Sequence, residues 1–254
     1  MNIFKRRISV LLVPVALWLL GQIFLFQPNL FFIAVSLGVL IIALSVKGLS
    51  VGPRKADWPL FFYFPALLFI SASLYETLIP NHYWVQALFL LIAGLIFSYL
   101  KNLYYFMRYE APEKIGKVDS ISMAGSVLSF FFLTASIYGL PTFLGWSFWP
   151  LFAASSVLIL LLTFQPFAIG RINIKANWPI FLTVNLVLLQ IVAVLYLLPL
   201  RFNVLGLLAA FVFYMSLLVL RLILRGNFSG RLLRFPLISG FIIMIIVLFT
   251  ARWF

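Results

Sequence analysis

Long apolar runs alternate with short polar segments along the whole chain. Most of these runs are close to the roughly 20 residues that a helix needs to cross the hydrocarbon core of a bilayer. Residues that favour turns separate the runs, as in Gln27-Pro28-Asn29 and Pro141–Gly145. The pattern therefore predicts membrane-spanning helices.

Nine spans follow from this pattern. They are predicted at Ile8–Phe26, Leu30–Val46, Pro59–Pro80, Tyr83–Leu103, Ile121–Leu140, Phe148–Phe164, Pro179–Leu198, Val204–Leu224 and Pro236–Ala251. The first run resembles a signal peptide, but it is longer than a signal core and no small-residue cleavage site follows it. We interpret it as a first span that Pro14 kinks. The longest polar segment, Lys101–Asp119, is predicted to connect the fourth and fifth spans.

The composition excludes a soluble protein. The chain is 65% hydrophobic and 9% charged, whereas soluble domains are roughly 45–50% apolar and about 25% charged. Five acidic and eighteen basic side chains cannot cover a soluble body of 254 residues. We therefore predict an all-α, polytopic transmembrane bundle, a single integral membrane domain over residues 1–254, in the cell membrane.

The distribution of charge predicts the topology. With the N-terminus inside, all of the eighteen lysines and arginines except Arg201 and Arg252 fall on the inner side, as the positive-inside rule requires. The C-terminus is then outside. A net charge of +13 would suggest nucleic acid as the partner of a soluble protein. In short loops between spans it favours anionic lipid headgroups at the inner face instead, and no nucleic-acid partner.

A motif that occurs twice in the sequence suggests an internal repeat. Lys55-Ala56-Asp57-Trp58-Pro59-Leu60-Phe61 returns 120 residues later as Lys175-Ala176-Asn177-Trp178-Pro179-Ile180-Phe181. Lys101 and Arg221, which close the fourth and eighth spans, have the same separation. The repeated motif predicts two four-helix units, about 1–117 and 118–235, with a ninth helix at about 236–254. An offset of about 113 fits the first two helices of each unit better.

Convergence is the alternative to duplication. Lysine favours the inner side and tryptophan the interface, and proline is well tolerated at a helix start. These preferences place Lys55 and Lys175, Trp58 and Trp178, and Pro59 and Pro179 at matching helix starts without common descent. The substitution of Asn177 for Asp57 is where we expect the two halves to have diverged. The sequence leaves both explanations open.

One polar cluster near the outer end of the third span is a candidate site. Glu76 is the only acidic residue inside a predicted span, His82 is the only histidine, and Gln86 follows in the fourth span. A carboxylate in a membrane is costly, and it often serves as a proton relay or a substrate contact. The alternative is interfacial: Glu76 lies about one turn from the helix end, where water reaches a carboxylate.

Other polar and small residues predict contacts between helices. Gln22, Gln86, Asn185 and Gln190 lie within spans, where hydrogen bonds between helices are a commoner use of an amide than ligand binding. Small residues are concentrated at 120–129 and 153–156. Small side chains let helices approach closely, so the fifth and sixth spans are predicted to be interior helices.

Most catalytic and metal-binding motifs are absent from the sequence. Without cysteine, disulfides and thiolate sites are excluded, and a single histidine excludes the H-E-x-x-H zinc motif. The acidic residues Glu110, Glu113 and Asp119 do not form a paired-aspartate motif, and neither a P-loop nor a G-x-S-x-G motif occurs. We therefore expect no metal and no cofactor.

Three functional hypotheses remain at this point. The leading one is a non-enzymatic scaffold or assembly component with another membrane protein as its partner, because the loops are too short to hold a catalytic centre. The alternative is a transporter or flippase for an apolar or lipid-linked substrate, since parallel repeats occur in transporters. A weaker alternative is a lipid-modifying enzyme with Glu76 and His82 as acid and base.

Overall fold

The computed structural model describes residues 3–50, 58–109, 112–169 and 177–224, and also Ile238, Gly240, Ile242 and Ile245. This part of the chain is helical and contains no strand. The helices are α1 Ile3–Phe26, α2 Phe31–Leu49, α3 Trp58–Glu76, α4 His82–Tyr109, α5 Pro112–Leu144, α6 Phe148–Ile169, α7 Trp178–Leu195 and α8 Phe202–Leu224. A 3₁₀ turn at Pro28–Leu30 joins α1 to α2.

Six of these helices are long and apolar enough to cross a membrane. They are α2 with its preceding turn, α3, α4, α5, α7 and α8. Shorter apolar stretches lie in α1 at Val10–Ile23 and in α6 at Phe148–Phe164. The fold is therefore an apolar helical bundle, compatible with a multi-pass membrane protein. The predicted ninth span, 236–254, lies largely outside the described residues, although the four positions that are described there are helical.

The connection between the fourth and fifth predicted spans differs from the prediction. The segment Lys101–Asp119 is largely helical, because α4 continues to Tyr109 and α5 begins at Pro112. Proline suits the first position of a helix, and an acidic residue such as Glu113 in the first turn complements the helix dipole. The polar residues of this segment predict a connecting loop, whereas in the structure most of them extend the helices α4 and α5.

The end of α5 also differs from the predicted turn at Pro141–Gly145. The helix continues through Pro141 to Leu144. Gly145 then has a φ of +66°, a left-handed conformation that suits glycine and ends the helix. The turn is consequently three residues long, Gly145–Ser147.

The chain divides into two compact units, Met1–Ser126 and Val127–Phe254, and the boundary falls within α5. In the first unit, α3 packs against α2 and α4, and α1 packs against α2 and α4. In the second unit, α7 packs against α6 and α8. Each unit is described by itself below.

Glycines allow close helix contacts in the first unit. A Cβ atom on Gly21 of α1 would overlap the ring of Phe89 in α4, and one on Gly38 of α2 would overlap the ring of Phe69 in α3. These positions let a phenyl ring lie directly on the backbone of the neighbouring helix, which is a common way for membrane helices to pack.

Stacked rings and small residues bring helices together in the second unit. Phe130 of α5 stacks on Phe213 of α8 with ring centroids 4.1 Å apart. Further toward the C-terminal end of α5, Gly206 of α8 packs against Ala135 of α5, where an added Cβ would lie 2.8 Å from the Ala135 Cβ. The predicted close packing at 120–129 and 153–156 is found for part of each set. Ser122, Gly125, Ser126 and Ser129 of α5 and Ser155 of α6 are buried, whereas Ser120 and Ala124 of α5 and Ala153 and Ala154 of α6 are exposed.

The helix starts of α3 and α7 and of α4 and α8 are 120 residues apart. Trp58 and Trp178 begin α3 and α7, and His82 and Phe202 begin α4 and α8. Some buried positions recur at this offset, but α3 is buried on more sides than α7, since Ala66 and Leu67 are buried and Leu186 and Val187 are exposed. The buried counterparts, each 120 residues apart, are Phe61 and Phe181, Leu68 and Leu188, Ala72 and Val192, Val85 and Leu205, Phe89 and Ala209, and Leu100 and Leu220.

Two contacts between helices lie at positions that the predicted offsets relate. In the first unit, Gln22 of α1 hydrogen-bonds Gln86 of α4. In the second unit, Gly206 of α8 packs against Ala135 of α5. Ala135 lies 113 residues after Gln22, and Gly206 lies 120 residues after Gln86.

Candidate functional site

Glu76 is the last residue of α3 and is buried inside the protein, with 2% of its surface exposed. Neither carboxylate oxygen has a hydrogen-bond partner within the described structure. The interfacial interpretation, in which water solvates this group, is therefore wrong for this side chain. The position of Glu76 near the end of the predicted span indicates access to water, whereas the last turn of α3 is oriented so that the carboxylate is buried.

Ser73 lies one turn before Glu76, so both side chains project from the same face of α3. Its hydroxyl is also buried and has no partner among the described residues. Serine in a helix commonly donates back to its own backbone, as Ser71 does to the Leu67 carbonyl at 2.8 Å. Ser73 and Glu76 form what we call the carboxyl site.

His82 does not belong to the carboxyl site. It is exposed at the first residue of α4, and its Nε2 lies 3.4 Å from Nε2 of Gln86. It forms no hydrogen bond with Glu76, whose oxygens have no partner. Six residues separate the two in sequence, but the turn between α3 and α4 leaves one buried and the other at the surface. The structure therefore does not bring together the acid and base of the proposed enzyme.

Gln86 links α4 to α1. Its Nε2 donates to Oε1 of Gln22 at 2.6 Å, and Nε2 of Gln22 donates in return at 2.9 Å. Asn185 of α7 similarly accepts a hydrogen bond from the Thr163 hydroxyl of α6 at 2.7 Å. The predicted hydrogen bonds between helices are confirmed for these amides. Gln190 is exposed instead.

The second unit contains a cavity of about 700 Å³ where α7 turns into α8. We call it the aromatic groove. Its lining residues are Tyr138, Thr142, Phe143, Tyr196, Leu198, Pro199, Leu200, Arg201, Phe202, Asn203 and Leu205. Arg201 provides a positive charge, and no acidic residue lines the groove.

Two tyrosines that line the aromatic groove are held in place by contacts with neighbouring helices. The ring of Tyr196 stacks on Phe148 of α6 at a centroid distance of 3.8 Å, and it lies nearly parallel to Tyr138 of α5 at 6.5 Å. The Tyr138 hydroxyl donates to the Val192 carbonyl of α7 at 2.9 Å. These contacts fix both rings and tie three helices together around the groove.

Sequence reasoning did not identify the aromatic groove. Its residues come from α5 and from the α7–α8 turn with the start of α8, and these two parts are more than 50 residues apart in the chain. Arg201 was the one available signal, since it is a basic residue predicted on the outer side. Tyr196 lies 120 residues after Glu76, which is the offset of the predicted repeat.

The repeated motif lies at helix starts, as predicted. Trp58 and Pro59 open α3, and Trp178 and Pro179 open α7. Trp178 is partly exposed and stacks on Phe181 at 5.5 Å. Asn177 precedes α7 and forms no side-chain cap. Lys55, Asp57 and Lys175 lie outside the described residues.

The described side chains define two kinds of site. The carboxyl site is small, buried and acidic, whereas the aromatic groove is larger, partly apolar and basic. No group of three or more histidine or acidic side chains that would hold a metal ion occurs in the described ranges. The chain matches no known family model, no curated protein and no solved structure.

Proposed function

We propose that this chain is a multi-pass protein of the cell membrane that binds a lipid-type substrate with an anionic head and acts as a carrier or flippase for it. The observation that carries this proposal is the aromatic groove. Its volume of about 700 Å³ lies within the range of about 300–1,000 Å³ that is typical of small-molecule sites.

The lining of the groove suits an amphiphile. Phe143, Leu198 and Leu205 provide apolar surface for an acyl or isoprenoid chain. Arg201 and Asn203 provide polar groups at the α7–α8 turn. A guanidinium matches the geometry of a phosphate and donates two parallel hydrogen bonds to it. A phosphate-bearing head beside Arg201, with its chain toward the leucines, satisfies both kinds of surface.

The position of the groove also suits an amphiphile. It lies at the end of α5 and the start of α8. Trp146 in the α5–α6 turn and Trp149 at the start of α6 are exposed. Tryptophan is enriched at the level of the headgroups. The head of a bound lipid would therefore remain at the interface while its chain stays in the apolar layer.

The topology that accompanies this function has nine crossings, with the N-terminus inside and the C-terminus outside. The arrangement of basic residues supports it, and it places Arg201 and the groove on the outer side. Anionic headgroups are the proposed contacts of the basic inner loops. A fusion reporter at Phe254 that proved cytoplasmic would remove the ninth crossing.

A tandem duplication of four helices is part of the proposal. It is supported by the matching helix starts of α3 and α7, by six buried positions that recur 120 residues apart, and by the contacts Gln22–Gln86 and Ala135–Gly206 at related positions. Convergence explains a tryptophan and a proline at a helix start. It does not by itself explain the six recurring buried positions.

Transbilayer movement of a labelled lipid tests the function. The purified protein is placed in phosphatidylcholine vesicles that contain fluorescent NBD-phosphatidylglycerol, and dithionite quenching reports the rate. We expect the wild-type protein to move the probe faster than protein-free vesicles do, and Arg201→Gln to slow it at least fivefold. Lys101→Gln, which removes an exposed lysine of α4, is the matched control and should behave as wild type.

Equal rates for wild type and Arg201→Gln would contradict the assigned role of the groove. The scaffold hypothesis gives a different result. A scaffold would neither bind nor move the lipid, and it would be recovered in mild detergent with a stable membrane protein partner.

A further inference from the structure

The carboxyl site contains buried polar atoms with no partner. Both oxygens of Glu76 and the hydroxyl of Ser73 are enclosed, and none of the three atoms has a hydrogen bond in the described structure. Buried polar groups are nearly always paired, so each exception calls for an explanation such as an unseen water or ion. Two adjacent exceptions on one face of α3 indicate a ligand that belongs between them.

The charged groups of the neighbouring helices do not fill this role. On α4, His82 is exposed and lies beside Gln86. Lys101 and Arg108 lie about 19 or more residues after His82 on the same helix, which is a distance of at least about 28 Å from His82. On α2 the charged residue is Lys47, close to the start of α3, whereas Glu76 is at its end.

Helix α5 also approaches α3, because Gly125 lies against the ring of Phe64. Its charged residues lie in its first turns. They are Glu113, Lys114, Lys117 and Asp119. All four precede Gly125, the residue of α5 that contacts Phe64. Phe64 is itself about three turns from Glu76 along α3.

We propose that the carboxyl site takes up one small monovalent cation, a proton or a sodium ion, which neutralises Glu76 inside the protein. One carboxylate matches one positive charge. A divalent ion would require six or more oxygen ligands and commonly several carboxylates. Ser73 supplies an additional oxygen for sodium, or a hydrogen-bond partner for the protonated acid.

The site is independent of the aromatic groove. Glu76 belongs to the first unit and the groove to the second. In the second unit the position of Glu76 is occupied by Tyr196 and that of Ser73 by Ala193, so the duplicate lacks both polar groups. The inference therefore adds a cation to the function of the chain, and it stands even if the lipid proposal fails.

A lipid-soluble carbodiimide tests the proposal on the full chain in vesicles. Dicyclohexylcarbodiimide reacts with protonated carboxyl groups in apolar surroundings, and mass spectrometry locates the adduct. In sodium-free choline buffer at pH 6 we expect Glu76 to be labelled and Glu113, at the surface, to remain unlabelled. Glu76→Gln should abolish the adduct without loss of the folded protein, because the amide has the same shape.

The salt in the buffer distinguishes the two cations. Replacement of choline by 100 mM sodium should slow labelling at least fivefold if sodium binds, and Ser73→Ala should weaken that protection. Labelling that depends on pH but not on sodium would assign the site to a proton. Absence of the Glu76 adduct in sodium-free buffer, in protein that retains its melting temperature, would overturn the proposal.

Discussion

The hydroxyl of Tyr99 in α4 donates to the backbone carbonyl of Phe61 in α3 at 3.0 Å. Pro65 lies four residues after Phe61, inside α3, and a proline has no N–H with which to complete the helical ladder at that carbonyl. Tyr99 thus supplies the donor that the proline removes. The same ring packs edge-on against Phe64 at a centroid distance of 4.7 Å.

Tyr99→Phe should destabilise the first unit by about 1 kcal/mol, because the Phe61 carbonyl loses its donor in a buried position. The measurement is the unfolding free energy in mixed detergent. Pro65→Ala restores the backbone N–H, so the same Tyr99 substitution should cost less in that background. An equal cost in both backgrounds would show that the hydroxyl does not compensate for the proline.

The reciprocal amide pair of Gln22 and Gln86 should show measurable coupling. Each single substitution to leucine leaves one half-buried amide without its partner, whereas the double substitution leaves none. A double-mutant cycle should give about 0.6 kcal/mol, and up to about 2 kcal/mol, as for other hydrogen bonds between membrane helices. Gln190→Leu, at an exposed position of α7, serves as the control, and additive effects would contradict the prediction.

Gly206 should not tolerate a larger residue. Its Cα lies so close to Ala135 that a Cβ would be 2.8 Å from the Ala135 Cβ. Gly206→Val should therefore separate α8 from α5 and cost about 1–3 kcal/mol, as overpacking does elsewhere. Gly94→Val is the matched helical control, since a Cβ at Gly94 meets nothing within 4 Å. Similar melting temperatures for both variants would contradict the close crossing.

Tyr196→Ala should weaken lipid binding to the aromatic groove. It removes the ring that stacks on Phe148 and forms part of the lining. A stacked aromatic pair contributes about 0.5–1.5 kcal/mol beyond its buried area, so the variant should also lose about this much unfolding free energy. Because part of the lining is removed, the dissociation constant for NBD-phosphatidylglycerol should rise. Tyr83→Ala, at a fully accessible position of α4, should leave the titration unchanged.

Local chemistry made much of the fold predictable. Tryptophan and proline at 58–59 and 178–179 predicted two helix starts that the structure contains. Amides within spans predicted contacts between helices, and Gln22 with Gln86 forms one of them. These predictions succeeded because each depends on the preference of a few neighbouring residues for an interface, a helix end or a hydrogen bond.

The orientation of Glu76 and the aromatic groove were not predictable in the same way. Helix α3 is apolar around most of its circumference, so no periodic pattern indicates which side faces the interior. The burial of Glu76 depends on the rotation of that helix against its neighbours. The aromatic groove depends on the meeting of three helices, which charge and hydropathy do not encode locally.

The length of α4 and α5 has a consequence for the shape of the predicted inner face. Helix α5 has 33 residues and is about 50 Å long, and α4 with 28 is about 42 Å, whereas the hydrocarbon layer is about 30 Å thick. Their adjoining ends therefore protrude as a short helical hairpin, where the Lys114 ammonium lies 5.8 Å from the centre of the Tyr105 ring. On the predicted topology, this aromatic tip of mixed charge would extend the protein beyond the bilayer at the inner side, although every connection there is short.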